Sequence, residues 1–188
     1  LKPINIHNGD SLQVQNEKWG LTLNGEKLAL KKSKIDELKD FDIVIASNYL
    51  RAISTARYFT NKDIYIDENF GERKFGVSDF KDLPKDFYDK QIADFDYKLS
   101  NGESLNEVLK REEKSLNNIL KKYKDKKVLI VGHSTAFSVL LSKWCDVGLN
   151  KPYKFNNKEF FSGKWHYCET FKLIFDEKNN LINIENIK

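Results

Sequence analysis

Apolar positions along this chain follow two rhythms that take turns with one another. Residues 103–123 keep the period of about 3.6 that marks an amphipathic helix. Leu105, Val108, Leu109, Leu116, Ile119, Leu120 and Tyr123 share one face, and Glu112 is the only polar member of it. The same spacing predicts shorter helices over residues 22–38, 48–59 and 134–144. In the first, Leu28, Ile35 and Leu38 face inward and lysines outward; in the second, Leu50, Ile53 and Ala56 face inward.

Short apolar runs predict strands at residues 3–7 (the weakest), 41–46, 64–66 and 128–131. Val128-Leu129-Ile130-Val131 reads as a strand buried on both faces, as in the middle of a parallel sheet. Thr170–Phe175 and Leu181–Ile187 alternate around Asp176-Glu177-Lys178-Asn179-Asn180, the pattern of two strands joined by a turn. Strands that alternate with helices predict an α/β fold. The expected architecture is a three-layer sandwich: a mostly parallel central sheet, helices on both faces, and an antiparallel C-terminal edge. No low-complexity linker or internal repeat interrupts it, so residues 1–188 read as a single domain. Residues 69–101 break the rhythm. Rich in Phe, Asp and Lys, they suit either a lid or substrate-binding insertion or a surface elaboration without a role.

Composition narrows the class. At 188 residues the chain can bury one sizeable core and is short for two. With 40% apolar residues, 32% charged residues and three prolines, it reads as globular rather than disordered. No apolar run has the length of a membrane span, and the opening residues lack the apolar stretch of a signal peptide. The expected location is therefore cytoplasmic, with no membrane partner. The net charge of +4 comes from lysines scattered among acids, which favours solvated helix faces over a nucleic-acid track. Cys145 and Cys168 lack metal-ligand spacing and fit a reduced interior better than a disulfide framework. A monomer or a homodimer is expected, the C-terminal strands offering an edge for pairing.

Candidate chemistry gathers where strands end. His133 follows the 128–131 strand and Gly132, on the rim where open α/β sheets bind ligands. Ser134 is a good N-cap, and the N–H groups after it favour an anion. The competing reading is a core histidine in a tight turn. Arg51 falls in the first turn of the helix after the 41–46 strand, and helical side chains lean toward the N-terminus, so its guanidinium points at the same rim. There it would clamp a phosphate or carboxylate, unless it is simply solvated. His7 ends the first expected strand, and Glu72 follows the 64–66 strand as a possible proton donor. His166, near Trp165 and Tyr167, reads as structural.

Five blocks then occur in a familiar order. They are Leu21-Thr22-Leu23-Asn24-Gly25, the stretch Ser47-Asn48-Tyr49-Leu50-Arg51-Ala52-Ile53-Ser54-Thr55-Ala56, Glu72-Arg73-Lys74-Phe75-Gly76, Asn101-Gly102-Glu103-Ser104 and Gly132-His133-Ser134. In this order the chain resembles the histidine phosphatase superfamily, with its phosphoglycerate-mutase-like fold, over most of its length. The resemblance implies a two-step phosphoryl transfer in which a histidine attacks phosphorus and water hydrolyses the phosphohistidine. Arginines and a second histidine hold the phosphoryl oxygens, and a glutamate protonates the leaving oxygen and later helps activate water. Carried onto this chain, His7, Glu72 and His133 are catalytic, while Asn8, Ser11, Arg51 and Ser134 bind the phosphorylated substrate. No metal and no cofactor are implied, because cationic side chains supply the charge.

The first motif departs from the family pattern R-H-G-x-S/T. Here the residues are Ile6-His7-Asn8-Gly9-Asp10-Ser11. Either His7 is the nucleophile, with Ile6 in place of the arginine and one residue inserted, or Gly9-Asp10-Ser11 matches directly. In the second register Asn8 stands at the nucleophile position, and an amide cannot carry a phosphoryl group. In both, the clamp has lost a guanidinium, which costs about 3 kcal/mol, or on the order of a hundredfold in rate. The expected function is a phosphomonoester hydrolase for a small metabolite. The alternatives are a silent relative that binds a phosphorylated ligand or partner protein and, after it, a phosphoglycerate mutase.

Overall fold

The computed structural model describes residues 2–3, 7, 9–147 and 151–188. Strand β1 (Lys2–Pro3) is followed by helix α1 (Leu12–Glu17), strand β2 (Trp19–Gly20) and helix α2 (Leu23–Lys32). The described part of the expected first strand pairs antiparallel with β2, Lys2 opposite Gly20, and not with the central sheet. Residues 4–6 lie outside the described residues. Helix α2 starts at its Thr22 cap but ends sooner than its apolar spacing implies. Ser33 turns its hydroxyl back onto the Leu30 carbonyl at 3.0 Å, and a separate 3-10 turn follows at Asp36–Leu38.

The central sheet holds strand β3 (Ile43–Ala46), then helix α3 (Leu50–Ala56) and strand β4 (Ile64–Ile66). After helix α4 (Phe87–Ala93) and helix α5 (Leu105–Lys122) the chain returns as strand β5 (Val128–Val131), and helix α6 (Ser134–Leu141) leaves it. The order is β4-β3-β5, all parallel, with Val44 opposite Ile64 and Ala46 opposite Val131. Side chains alternate across a strand, and the packing follows that alternation. Val44, Ala46, Leu129 and Val131 meet α3 through Ala52 and Ala56. Ile43, Ile45, Val128 and Ile130 meet Ile119 of α5 and Phe137 of α6. The result is the expected three layers. β5 is half-buried rather than covered on both faces, because among the described residues it has one strand neighbour; the well-covered strand is β3.

Helix α5 opens on a capping box. Ser104 Oγ accepts from the Glu107 N–H at 3.1 Å, and Glu107 Oε2 accepts from the Ser104 N–H at 2.9 Å. Beyond α6 lie two antiparallel hairpins: strands β6 (Tyr153–Phe155) and β7 (Lys158–Phe161), then β8 (Thr170–Phe175) and β9 (Leu181–Ile187). The first turns through Asn156 and Asn157, both at positive φ, a two-residue loop whose twist suits a hairpin. Aromatic residues Tyr153, Phe160, Phe161, Trp165 and Phe171 pack edge-on between the hairpins. Both cysteines are free thiols.

Residues 69–101 are more regular than their sequence implies. They carry α4 and an aromatic cluster in which Phe75 meets Phe80, Phe87 and Tyr88 edge-on or tilted. Gly76, at φ +78°, pins this segment against Asn101 and Gly102 with no room for a Cβ.

Candidate active site

The parallel strands β3 and β5 end side by side, and the residues that leave them converge. Ser47 donates its N–H to the Val131 carbonyl at 3.0 Å, extending the ladder by one step. Its hydroxyl then stands 2.8 Å from His133 Nε2. His133, not Ser134, is the N-cap residue of α6: its backbone is extended, and Ser134 is the first helical residue and exposed. Committed to Ser47, the His133 ring makes no capping bond. It is only 7% exposed. Burial, with the Arg51 and Arg111 guanidiniums adding to it, pushes the imidazole well below its ordinary pKa, so His133 is neutral.

Tyr49 stands against that imidazole, ring centroids 4.5 Å apart and nearly edge-on. Its other contacts run outward to α1, to the Glu72 segment and to Arg51. The hydroxyl accepts from Gln13 Nε2 of α1 at 2.9 Å and donates to the Glu72 carbonyl at 3.3 Å. The Arg51 guanidinium lies 4.5 Å from the Tyr49 ring centre. Arg51 Nη1 also donates to the Asn16 carbonyl at 2.7 Å. Burial pulls the Arg51 pKa down, yet no carboxylate bridges to it among the described residues.

Three expected site residues therefore meet: Arg51 and His133 share the Tyr49 ring, and Glu72 is tied to it by its backbone. The Glu72 carboxylate accepts from the neighbouring Arg73 N–H at 2.9 Å. Ser11 caps α1, its Oγ accepting from the Val14 N–H at 3.3 Å. His7 is exposed, and its N–H donates to Asp10 Oδ2 at 3.0 Å. Asp10 is held in turn by Lys18 at 2.8 Å, and these bonds lower its pKa, the one from the His7 backbone most. Asn8 lies outside the described residues. A cleft of about 330 Å³ opens beside the site, between Ser11, Gln13 and Asn16 on one wall and Lys74, Phe75 and Ser78 on the other. Among the described residues, no three His, Cys, Asp or Glu side chains are placed to hold a metal ion, and no helix is long and apolar enough to cross a membrane.

The family model described as histidine phosphatase superfamily (branch 1) matches residues 7–174. The chain belongs to the histidine phosphatase superfamily. No curated protein matches it, but solved structures share its fold. The α-ribazole phosphatase from Shigella flexneri is 21% identical with a TM-score of 0.63, over 89% of this chain and 84% of that one. A phosphoserine phosphatase from Entamoeba histolytica, in complex with phosphoserine, is 21% identical with a TM-score of 0.62, over 88% and 84%. A mycobacterial glucosyl-3-phosphoglycerate phosphatase is 18% identical with a TM-score of 0.58, over 66% and 68%.

In this member of the superfamily the residues that sequence reasoning passed over are those that support the rim. Arg111 of α5 grips Glu103 through two bonds, 2.7 and 2.9 Å, and donates to the Asn69 carbonyl. It thereby fastens the segment that leads into Glu72. Its signal was an arginine two helical turns after Glu103. Tyr49 and Gln13 had no such signal, because their contact joins residues 36 apart.

Proposed function

We propose that this histidine phosphatase hydrolyses small phosphomonoesters through a phosphohistidine formed on His7. The observation that carries the reading is the convergence of Arg51, His133 and the Glu72 segment on one ring, at the end of a parallel sheet. Arg51, which has no salt bridge among the described residues, supplies the positive charge a phosphoryl group needs. In the first step a His7 ring nitrogen attacks phosphorus, the P–O bond to the alcohol breaks, and Glu72 gives its proton to the departing oxygen. In the second, Glu72 takes a proton from water, the water oxygen bonds to phosphorus, and the P–N bond breaks to release inorganic phosphate. The cleft beside Ser11, Gln13 and Asn16 receives the alcohol portion, with residues 74–78 as its far wall.

One observation favours a second reading, in which the site binds phosphate esters without turning them over. Gly9 adopts φ +101° and Ser11 caps α1. These are roles that suit the glycine and the hydroxyl residue of R-H-G-x-S/T, and in that register Asn8 replaces the nucleophile. Hydrolysis of an aryl phosphate with and without EDTA separates the two. Hydrolysis is expected to be insensitive to EDTA, absent in His7→Ala, and accompanied by acid-labile phosphate trapped on His7. Full activity in His7→Ala overturns the mechanism. Absence of turnover with phosphate still bound selects the second reading.

A further inference from the structure

Among the described residues Tyr49 is the largest fully buried side chain, 1% exposed, yet it carries a polar tip that both donates and accepts. A buried tyrosine needs a partner for its hydroxyl; this one has two, on different elements. Gln13 belongs to α1, the helix that directly follows the first motif, and the Glu72 carbonyl belongs to the segment of the proposed proton donor. The ring itself is shared between the Arg51 guanidinium and the His133 imidazole, each 4.5 Å from its centre. The Tyr49 N–H adds a long bond to Ser47 Oγ at 3.4 Å, and that hydroxyl is the partner of His133. Burial pushes the phenol up to about 12, so it remains a neutral donor.

The local sequence makes room for this arrangement. A Cβ on Gly71 would stand 3.1 Å from Tyr49 Cε2 and 3.0 Å from the Glu68 carbonyl oxygen, tighter than side chains ordinarily pack. Gly71 and Tyr49 are therefore a fitted pair. A leucine at position 49 could fill the core, but it would offer neither a π-face to Arg51 nor a hydroxyl to Gln13 and Glu72.

We propose that Tyr49 is a positioning residue that fixes Arg51, His133, α1 and the Glu72 segment relative to one another, making one phosphate site of four separate pieces. The proposal rests on the phosphate-site reading for its consequence in binding and rate, but not for its geometry. The ring and the hydroxyl have separable duties. The ring orients Arg51 and excludes water from His133; the hydroxyl ties the Glu72 segment to α1.

Two variants divide these duties. Tyr49→Phe keeps the ring, so inorganic phosphate affinity and the His133 titration followed by NMR are expected to stay at wild-type values. Its kcat on an alkyl phosphate falls about tenfold with KM little changed, because the donor to the leaving oxygen is less well held. Tyr49→Leu removes the ring, so phosphate affinity falls about tenfold. The His133 midpoint also rises by about one pH unit, since water reaches the imidazole and Arg51 loses its platform. A Tyr49→Leu protein that unfolds more easily but keeps the wild-type His133 midpoint would overturn the proposal and leave Tyr49 a core residue. If that variant does not fold, a wild-type kcat in Tyr49→Phe overturns the part assigned to the hydroxyl, and a His133 midpoint displaced in Tyr49→Phe overturns the part assigned to the ring. The NMR titration needs neither ligand nor turnover, so its outcome stands apart from any failure of the phosphatase reading.

Discussion

Glu112 offers the sharpest test of how this core is built. It sits on the inner face of α5 with Val108, Ser115, Leu116 and Ile119, and is 0% exposed. Neither carboxyl oxygen has a hydrogen-bond partner among the described residues. Burial is the first cause that raises its pKa well above the usual carboxylate value; Arg111 opposes the rise, and Glu72 and Glu103 add to it. Folded Glu112 therefore keeps its proton where the unfolded chain has released it. In that window the native state binds more protons than the unfolded state, so stability falls as pH rises. The slope is about 1.4 kcal/mol per pH unit, beginning near the ordinary glutamate pKa of about 4.5 and ending at the raised value. The neutral acid carries a further cost, since an unpaired buried polar group is worth about 1–3 kcal/mol.

Glu112→Met removes both terms at nearly constant volume. Below the window the variant should already be more stable by about 1–3 kcal/mol, the cost of the unpaired group. The advantage should then widen by about 1.4 kcal/mol for each pH unit crossed. Glu112→Gln keeps the polar group but cannot ionise, so it should match wild type at low pH and exceed it above. Urea unfolding of all three between about pH 4 and about pH 7 measures this directly. The depressed His133 works with the opposite sign, losing stability as pH falls below the ordinary histidine value, but it is common to all three proteins and cancels in the differences. A pH-independent difference, or a wild type more stable than Glu112→Met, would show that the carboxyl has a partner and refute the reasoning.

Arg51→Ala should abolish the protection that inorganic phosphate gives against thermal unfolding, because the Arg51 guanidinium stands at the site with no salt bridge among the described residues; equal protection in the variant would remove it from the clamp. Gly76→Ala should destabilise the protein by about 3 kcal/mol in urea unfolding. The new Cβ would lie 2.6 Å from Gly102 Cα at a φ of +78°, so it meets backbone that cannot swing aside.

Elements were legible in the sequence where one local rule was strong enough to act alone. Helix α5 was, because its period runs for several turns. Strands β8 and β9 were, since alternation around Asp176–Asn180 fixes both their ends. The β6–β7 hairpin went unread although its signal is present: Asn156-Asn157 is a pair that tolerates positive φ, set between alternating residues. Helix α2 was overdrawn because Ile35 and Leu38 continue the apolar spacing after Ser33 has ended the helix. At the site, Arg51, Glu72 and His133 were legible because strand ends and first helical turns have a direction. His7 was placed by the same rule at the end of a strand whose described part, Lys2–Pro3, pairs with β2 and not with the central sheet, and the structure leaves it exposed. Tyr49 was not legible at all. Three of its four contacts, to Gln13, Glu72 and His133, join residues distant in sequence, and no periodicity encodes those.

The charge at the site has a consequence for how a phosphate ester would be held. Two guanidiniums act on His133, but they are not equivalent. Arg111 is clasped by both oxygens of Glu103, so its charge is largely answered before any ligand arrives. Among the described residues the Arg51 guanidinium is bonded to a carbonyl, lies against an aromatic ring and feels the Glu72 carboxylate without a salt bridge to it, so its charge is less answered than that of Arg111. One cation is a poor match for a phosphomonoester dianion, and His133 cannot supply a second while burial and the two guanidiniums keep it neutral. An arriving dianion reverses that balance: a nearby negative charge favours the protonated imidazole by the same physics with which a positive one disfavours it. In the phosphatase reading, His133 is therefore a charge that the ligand itself recruits. Such an arrangement would spare the unliganded site from burying a second unpaired cation, while Ser47, 2.8 Å from His133 Nε2, keeps the neutral ring aligned.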